Sequence, residues 1–211
     1  ENTKLEIKNE IEAKDILNKL SNSYKIESTE KKNKNKASKP PYTTSTMQQD
    51  AVNKINFSSK KTMSVAQKLY EGINIGSETV GLITYMRTDS TRISEEARAT
   101  AKEYIEKNYG KEYYQNRYYK TNKDAQDAHE AIRPTYAELE PEKIKDSLSK
   151  DQYKLYKLIY NRFMASQMTT AIYDTIGVAV DANGHQFKAS GQNIKFKGFM
   201  TLYVEGTDEK E

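Results

Sequence analysis

Three residues whose side chains could act on a phosphate alternate along the string TYMRTDS: Tyr85, Arg87 and Asp89. On an extended strand, residues two apart face the same side, so these three side chains would project together. A phenol beside a guanidinium suits attack on a phosphodiester, because arginine forks onto phosphate oxygens and its charge favours the phenolate. Asp89 would orient Arg87 or accept a hydrogen bond. The alternative is an edge-strand tyrosine beside an exposed ion pair, and the spacing alone does not exclude it.

A second polar string, AHEAIRPT, spans residues 128–135 and contains His129 and Arg133. It begins like a zinc-protease motif, but position 133 is arginine where that motif requires histidine. Residues 124–134 read as a short helix ended by Pro134, which would place His129 and Arg133 on one helix face, four residues apart. Two donors that can carry positive charge there suit a phosphate. A helix end with solvated polar groups remains the alternative.

Four longer helices are predicted around these strings from apolar spacing and cap residues. The predicted features are a helix capped by Thr46, a helix over 58–72 burying Met63, Ala66, Leu69 and Tyr70, a helix from Ser94 to Gly110, and a long helix over 149–168 burying Leu155, Leu158, Ile159 and Phe163. Residues 79–87 are β-branched and aromatic, which predicts a strand carrying Tyr85.

Both ends of the chain have a strand-like pattern. Residues 4–10 and 23–29 alternate, and residues 171–180 alternate before Asn183-Gly184, a strong hairpin-turn signal. The lysine-rich run from Lys31 to Pro41 is interpreted as a solvated connector, with a phosphate-contacting strap as a compatible alternative. These patterns predict an α+β fold in which a helical domain is inserted into a β-rich one. The expected segments are 1–41, 42–170 and 171–211.

Composition excludes several functional classes. The 211 residues contain no cysteine and two histidines, so disulfides, thiolate metal sites and an all-protein zinc site are not expected. No run approaches the roughly 18 apolar residues of a membrane span, so no membrane partner is expected. The net charge of +4 is compatible with a polyanionic partner. A chain that starts at Glu1 without a methionine suggests a piece of a longer protein.

Taken together, five segments resemble the type IA DNA topoisomerases of bacteria and cover most of residues 40–175. They are PYTTSTMQQDA (41–51), KKTMSVAQKLYEG (60–72), GLITYMRTDSTRIS (81–94), DAHEAIRPT (127–135) and LYKLIYNRFMASQM (155–168), in the order of the family. The YMRTDS and AHEAIRPT strings are far more specific together than either is alone. The β-rich flanks resemble the gate, or arch, region of the family only loosely.

The resemblance implies roles for individual residues. Tyr85 matches the nucleophile that attacks one DNA strand and forms a 5′-phosphotyrosine link, and Arg87 matches the residue that stabilises charge at the scissile phosphate. His129 and Arg133 match positions near the bound strand. The remaining residues assigned to DNA binding and site support are Thr84, Thr88 and Asp89.

The resemblance also implies a cofactor and partners. The family binds Mg²⁺ through acidic residues of a Toprim domain, which is not visible before Glu1. The partners are therefore single-stranded or negatively supercoiled DNA and the missing Toprim and groove domains of the same protein, in the cytoplasm near the nucleoid. ATP is not required, and the isolated chain is expected to be inactive. A non-catalytic gate or single-strand-binding module is the alternative function.

Overall fold

The computed structural model describes residues 5–20, 23–76, 78–119 and 129–203. The chain divides into two compact units. The sheet unit comprises Glu1–Asn35 and Ile172–Phe196, and the helical unit comprises Lys36–Ala171 and Lys197–Glu211. The α+β class predicted from the sequence is confirmed.

In chain order the helices and strands are α1 (Glu10–Lys19), β1 (Lys25–Lys36), α2 (Thr44–Ile55), α3 (Ser59–Glu71), β2 (Ile73–Asn74), β3 (Thr79–Val80), α4 (Glu95–Asn108), α5 (Lys150–Ser166), β4 (Ala171–Ala182) and β5 (His185–Phe196). None of the helices in the described ranges is long and apolar enough to cross a membrane.

The sheet unit is built on three long strands in the order β1-β4-β5. Strands β4 and β5 form the predicted antiparallel hairpin around Asn183-Gly184, whose φ angles of 53° and 81° are those a primed turn requires. Strand β1 is exposed along nearly its whole length, and α1 has no buried residue. The sheet is therefore held mainly by backbone pairing.

The lysine-rich run differs from its prediction as a connector. Strand β1 continues to Lys36, and the Lys32 carbonyl accepts a 2.9 Å hydrogen bond from the Thr175 hydroxyl of β4. An exposed strand needs only backbone partners, so its side chains carry no apolar alternation for sequence reading to detect. The connector is confined to residues 37–41.

The hydrophobic core lies in the helical unit. Helix α3 packs against α5, and α2 packs against both. The predicted inward residues of α5 are all buried, as is Leu69 of α3. On α3, however, the buried face consists of Thr62, Val65, Ala66 and Leu69, so the prediction that buried Tyr70 with this face is wrong.

One helix boundary differs in detail from the prediction. Thr43 rather than Thr46 caps α2, because the Thr43 amide donates to the Thr46 hydroxyl at 2.9 Å and the Thr43 hydroxyl accepts from the Thr46 amide. Ser94 and Ser149 cap α4 and α5, and the side chain of each accepts a hydrogen bond from a first-turn amide.

The C-terminal end of the described chain belongs to the helical unit rather than to the β-rich one. Phe199 is fully buried, and its amide donates to the Thr169 carbonyl at 2.9 Å. The Tyr203 hydroxyl is bonded to Asp50 of α2. Burial of these two aromatic side chains therefore fixes residues 197–203 to the helices.

Candidate functional site

The segment carrying Tyr85 is irregular beyond the two-residue strand β3, so the predicted strand over 79–87 is mostly absent. The side chains nevertheless alternate. Tyr85 is 43% exposed, Met86 is 0% exposed, and Thr88 is 7% exposed. Arg87 and Asp89 are exposed as well. The predicted polar face thus exists without the predicted sheet ladder.

Thr44 takes the place of a strand neighbour for residues 86–88. Its hydroxyl donates to the Met86 carbonyl at 2.7 Å and accepts from the Thr88 amide at 2.9 Å. Its own amide donates to the Thr88 carbonyl at 2.9 Å. Since Thr44 is the first residue of α2, the start of that helix is joined directly to the backbone around Arg87.

Thr84 attaches the other side of the segment to the second motif. The Thr84 amide donates to the Arg133 carbonyl at 3.0 Å, and the Arg133 amide donates to the Thr84 hydroxyl at 3.0 Å. The same hydroxyl donates to the Ala131 carbonyl at 2.7 Å. An antiparallel bridge joins Ile83 to Pro134. Thr84 therefore holds the two motifs side by side through its backbone and its side chain.

The second motif is extended, and the predicted helix over 124–134 is wrong for its described part, residues 129–134. Residues 124–128 lie outside the described ranges. Ile132 donates its amide to the Tyr42 carbonyl, and Ala131 donates to the Arg92 carbonyl, each at 2.8 Å. A residue before proline is biased away from helical angles, which favours the extended form at Arg133. His129 and Arg133 therefore do not share a helix face.

A surface cavity of about 420 Å³ lies beside this segment. Its lining residues are Thr44, Ser45, Arg87, Thr88, Asp89 and His129. The start of α2 contributes partial positive charge, and its first turn contains no acidic residue. Arg87 from one motif and His129 from the other thus meet at one cavity. With the helix start, these groups form an environment that suits a phosphate.

The Tyr85 ring is flanked by two other rings. The Tyr70 centroid lies 5.4 Å away at an interplanar angle of 64°, and the His129 centroid lies 6.3 Å away at 66°. Both are edge-to-face arrangements, which stabilise aromatic pairs. His129 therefore links the tyrosine to the cavity.

Arg133, predicted to contact DNA, is engaged within the protein. Its Nε and one terminal nitrogen donate to the same Glu130 oxygen at 3.0 and 2.6 Å, and its other terminal nitrogen donates to the Pro134 carbonyl at 3.0 Å. Partial burial raises the pKa of Glu130, but the Arg133 charge and hydrogen bonds outweigh it and hold that pKa below its usual value. The Arg133–Glu130 ion pair therefore stabilises the second motif next to Thr84.

A second polar cluster, which was not predicted from the sequence, lies in the interior of the helical unit. It consists of Tyr42, Asp50, Arg162 and Tyr203. Tyr42 donates to one Asp50 oxygen at 2.6 Å, Tyr203 donates to the same oxygen, and Arg162 lies 3.4 Å from it. Arg162 also donates to Tyr203 at 2.9 Å and to the Pro40 carbonyl at 2.6 Å.

The protonation states of this cluster follow from burial and partners. Burial first, then the neighbouring Tyr203 and Asp50, raise the pKa of Tyr42 far above its ordinary value. Burial raises the pKa of Asp50, but the two phenol hydrogen bonds and the nearby cations outweigh it and leave that pKa lowered. A signal was present in the sequence, because Asp50 and Arg162 are charged residues set beside apolar ones on otherwise buried helix faces.

Comparison with known proteins identifies the chain. A protein-family model described as DNA topoisomerase matches residues 1–211. The chain belongs to the DNA topoisomerase family. Its structure is also similar to that of full-length topoisomerase I from Thermotoga maritima, with a TM-score of 0.82 and 34% sequence identity. That match covers 100% of this chain and 34% of the Thermotoga chain, so the chain spans about a third of that protein's length.

The comparisons confirm the type IA topoisomerase resemblance drawn from the motifs. Among the described residues of this topoisomerase chain, no group of three histidine, aspartate or glutamate side chains could hold a metal ion.

Proposed function

We propose that this chain supplies the nucleophile of a type IA DNA topoisomerase, with Tyr85 attacking one strand of DNA. The Tyr85 phenol gives up its proton and its oxygen forms a bond to phosphorus, while the bond from phosphorus to the 3′ oxygen breaks. The 3′ oxygen takes up a proton and leaves as a hydroxyl, so protons balance over the step. The downstream fragment remains on the tyrosine through its 5′ phosphate. The observation that carries this proposal is an exposed tyrosine in ring contact with His129, which lines a cavity together with Arg87.

Each group around the cavity has a role in this proposal. Arg87, whose guanidinium presents a fork of N–H donors, binds the phosphate oxygens and offsets the charge that grows on them during attack. His129 adds a hydrogen-bond donor, and the start of α2 adds positive potential, on the same phosphate. Asp89 lines the same cavity as Arg87 without an ion pair to it, and in this scheme it accepts a hydrogen bond from Arg87 once the phosphate is bound. Thr84 and Thr88 fix the backbone between the motifs.

Arg133 acts differently from Arg87 in this scheme. Its guanidinium is held by Glu130 and Pro134, so it positions the second motif and supports the bound strand through that motif. This role follows from its side-chain exposure of 14%. Direct contact of Arg133 with DNA would require part of the Glu130 pair to open.

The remaining steps of the reaction are assigned to the longer protein. The chemical energy of the broken bond is kept in the phosphotyrosine, so attack by the 3′ hydroxyl reseals the strand without ATP. Passage of the intact strand through the break relaxes negatively supercoiled DNA. Mg²⁺ and the groove for the single strand come from Toprim and groove domains outside these 211 residues, and the complete enzyme works in the cytoplasm near the nucleoid.

The test uses the complete protein, Mg²⁺ and a single-stranded oligonucleotide labelled at one end or the other. A protein–DNA adduct on a denaturing gel is expected to carry the 3′ label only, since the tyrosine holds the 5′ phosphate of the downstream piece. Tyr85→Phe is expected to abolish it. Tyr24→Phe, which changes an exposed tyrosine of the sheet unit, is the matched control and should form the adduct normally.

Two results would overturn the proposal. An adduct that persists in Tyr85→Phe would exclude this tyrosine as the nucleophile, and an adduct carrying the 5′ label would reverse the polarity of the link. The purified 211-residue chain with Mg²⁺ is expected to form no adduct alone and to restore plasmid relaxation when mixed with the missing domains.

A further inference from the structure

Tyr70 is an aromatic residue at the site that neither the proposed mechanism nor the core explains. It lies in the last turn of α3 and is 41% exposed, while the buried face of that helix is formed by other residues. A single exposed ring is ordinary on a protein surface, but this one packs edge to face on the Tyr85 ring with centroids 5.4 Å apart. Tyr70 therefore presents an aromatic surface to any molecule that approaches Tyr85.

The backbone holds Tyr70 at a fixed place beside the nucleophile. The Leu82 amide donates to the Leu69 carbonyl at 2.8 Å. A side chain at Gly81 would place its Cβ 2.7 Å from the Tyr70 carbonyl oxygen, so only glycine permits this approach. The end of α3 and the segment leading to Tyr85 thus run in direct contact, four residues before the phenol.

The three rings at the site form a row with different surroundings at its two ends. His129, at one end, lines the cavity that suits a phosphate. Tyr70, at the other end, does not line that cavity and is exposed to solvent beside Tyr85. A nucleotide bound with its phosphate in the cavity has an adjacent base, and the exposed ring is an aromatic surface within reach of the reacting centre.

We propose that Tyr70 forms a nucleobase-stacking subsite for a base flanking the phosphate that Tyr85 attacks. The inference rests on the proposed function, because it places the scissile phosphate at the Arg87–His129 cavity. Every base has an aromatic face, so stacking needs a base at this position but does not distinguish one base from another. The subsite holds the strand in register at the nucleophile and leaves sequence preference to other contacts.

The test measures binding of single-stranded oligonucleotides to the complete protein in a Tyr85→Phe background, where no bond is broken. One abasic position at a time is moved through the nucleotides around the cleavage site. Tyr70→Leu is expected to weaken binding of the intact oligonucleotide about tenfold, as loss of one stacked base does. Tyr70→Phe keeps the ring and should change binding less than about twofold.

The decisive result is the combination of variant and abasic site. At one flanking position, removal of the base should weaken binding to the parent protein about tenfold, and Tyr70→Leu should then add no further loss. If the Tyr70→Leu loss is the same on every abasic oligonucleotide, or if Tyr70→Phe loses as much as Tyr70→Leu, the subsite does not exist.

A structural defect would be recognised separately, because thermal unfolding of Tyr70→Leu should match that of Tyr70→Phe. Tyr70→Trp provides a second arm: a larger ring should bind the intact oligonucleotide at least as tightly as tyrosine, and weaker binding would count against stacking. Failure of the stacking proposal remains distinct from failure of the proposed nucleophile, since the latter is read from the covalent adduct and not from binding.

Discussion

The helical unit contains two clusters made from the same residue types, tyrosine, arginine and aspartate, in opposite environments. At the surface, Tyr85, Arg87 and Asp89 are exposed, and among the described residues the Arg87 and Asp89 side chains have no hydrogen-bond or ion-pair partner. In the interior, the cluster of Tyr42, Asp50, Arg162 and Tyr203 is closely bonded to itself. We call the first the surface cluster and the second the buried cluster.

The difference shows that environment decides what a phenol can do. Burial, followed by the Asp50 hydrogen bond, raises the pKa of Tyr203 to about 12, and Tyr42 is shifted in the same direction. These phenols keep their protons as donors to Asp50 and are unsuited to attack. Tyr85 is 43% exposed, and its ring contacts His129, which lines the surface cavity. The buried cluster stabilises the fold, and the surface cluster is left open for a substrate.

The largest expected effect comes from removing one tyrosine hydroxyl from each cluster and comparing the results. Tyr85→Phe should abolish the covalent DNA adduct of the complete protein and leave its unfolding midpoint unchanged. Tyr42→Phe should keep the adduct and lower the free energy of unfolding by about 1–2 kcal/mol, because Asp50 loses a buried donor. Adduct gels and chemical denaturation of both variants check the pair. Equal loss of activity in the two would abolish the distinction.

The next effect concerns the two aspartates. Asp50→Asn should lower the free energy of unfolding by about 3 kcal/mol, because Arg162 loses its charged partner in a buried setting. Asp89→Asn, at the surface, should change it by less than about 0.5 kcal/mol. Urea denaturation of both variants at neutral pH measures the contrast, and a destabilised Asp89→Asn would show that the surface cluster also supports the fold.

The advantage of Asp50 over asparagine should disappear in acid. Its pKa is lower in the folded protein than its ordinary value of 3.8, so its ionised form stabilises the fold. That contribution is fully present above pH 3.8 and is lost as the pH falls through the lower folded-state value. The difference in unfolding free energy between wild type and Asp50→Asn is therefore expected to shrink below about pH 4. A constant difference from pH 7 to the acid limit would contradict this.

The smallest effect tests how the surface cluster is held in place. Thr44→Val removes the hydroxyl bonded to residues 86 and 88 and should cost about 1–2 kcal/mol of stability. It should also slow adduct formation, because Arg87 lies between those two residues. Thr44→Ser restores the hydroxyl and should rescue both properties. Rescue of stability without rescue of the rate would assign the Thr44 effect on cleavage to its methyl group.

Local signals in the sequence predicted many of the helices and strands. Cap residues and apolar spacing located α3, α4 and α5, and Asn183-Gly184 located the hairpin, because these depend on neighbours in the chain. The extended second motif was missed because its partners, Tyr42 and Thr84, are distant in sequence. The exposed strand β1 was missed in part because no apolar face marks it. Long-range backbone bonds leave no periodic pattern.

The candidate site also has features that the sequence could predict and features that it could not. The alternation of residues 85–89 between solvent and interior could be predicted from the string itself, and the structure shows it. Glu130 and Arg133 are three residues apart, which is a charge-pairing spacing on a helix, so this ion pair could have been predicted although the helix itself is absent. The buried cluster joins residues from position 42 to position 203, and only the folded chain brings them together.

Four hydrogen bonds join Thr44, in the first turn of α2, to Met86 and Thr88, the residues on either side of Arg87. A movement of the start of α2 therefore moves the Arg87 backbone with it, and the distance between the two is preserved. The walls of the cavity therefore travel together during any rigid movement of the helical unit. A phosphate held there would keep both sets of donors while the surrounding protein changes its arrangement.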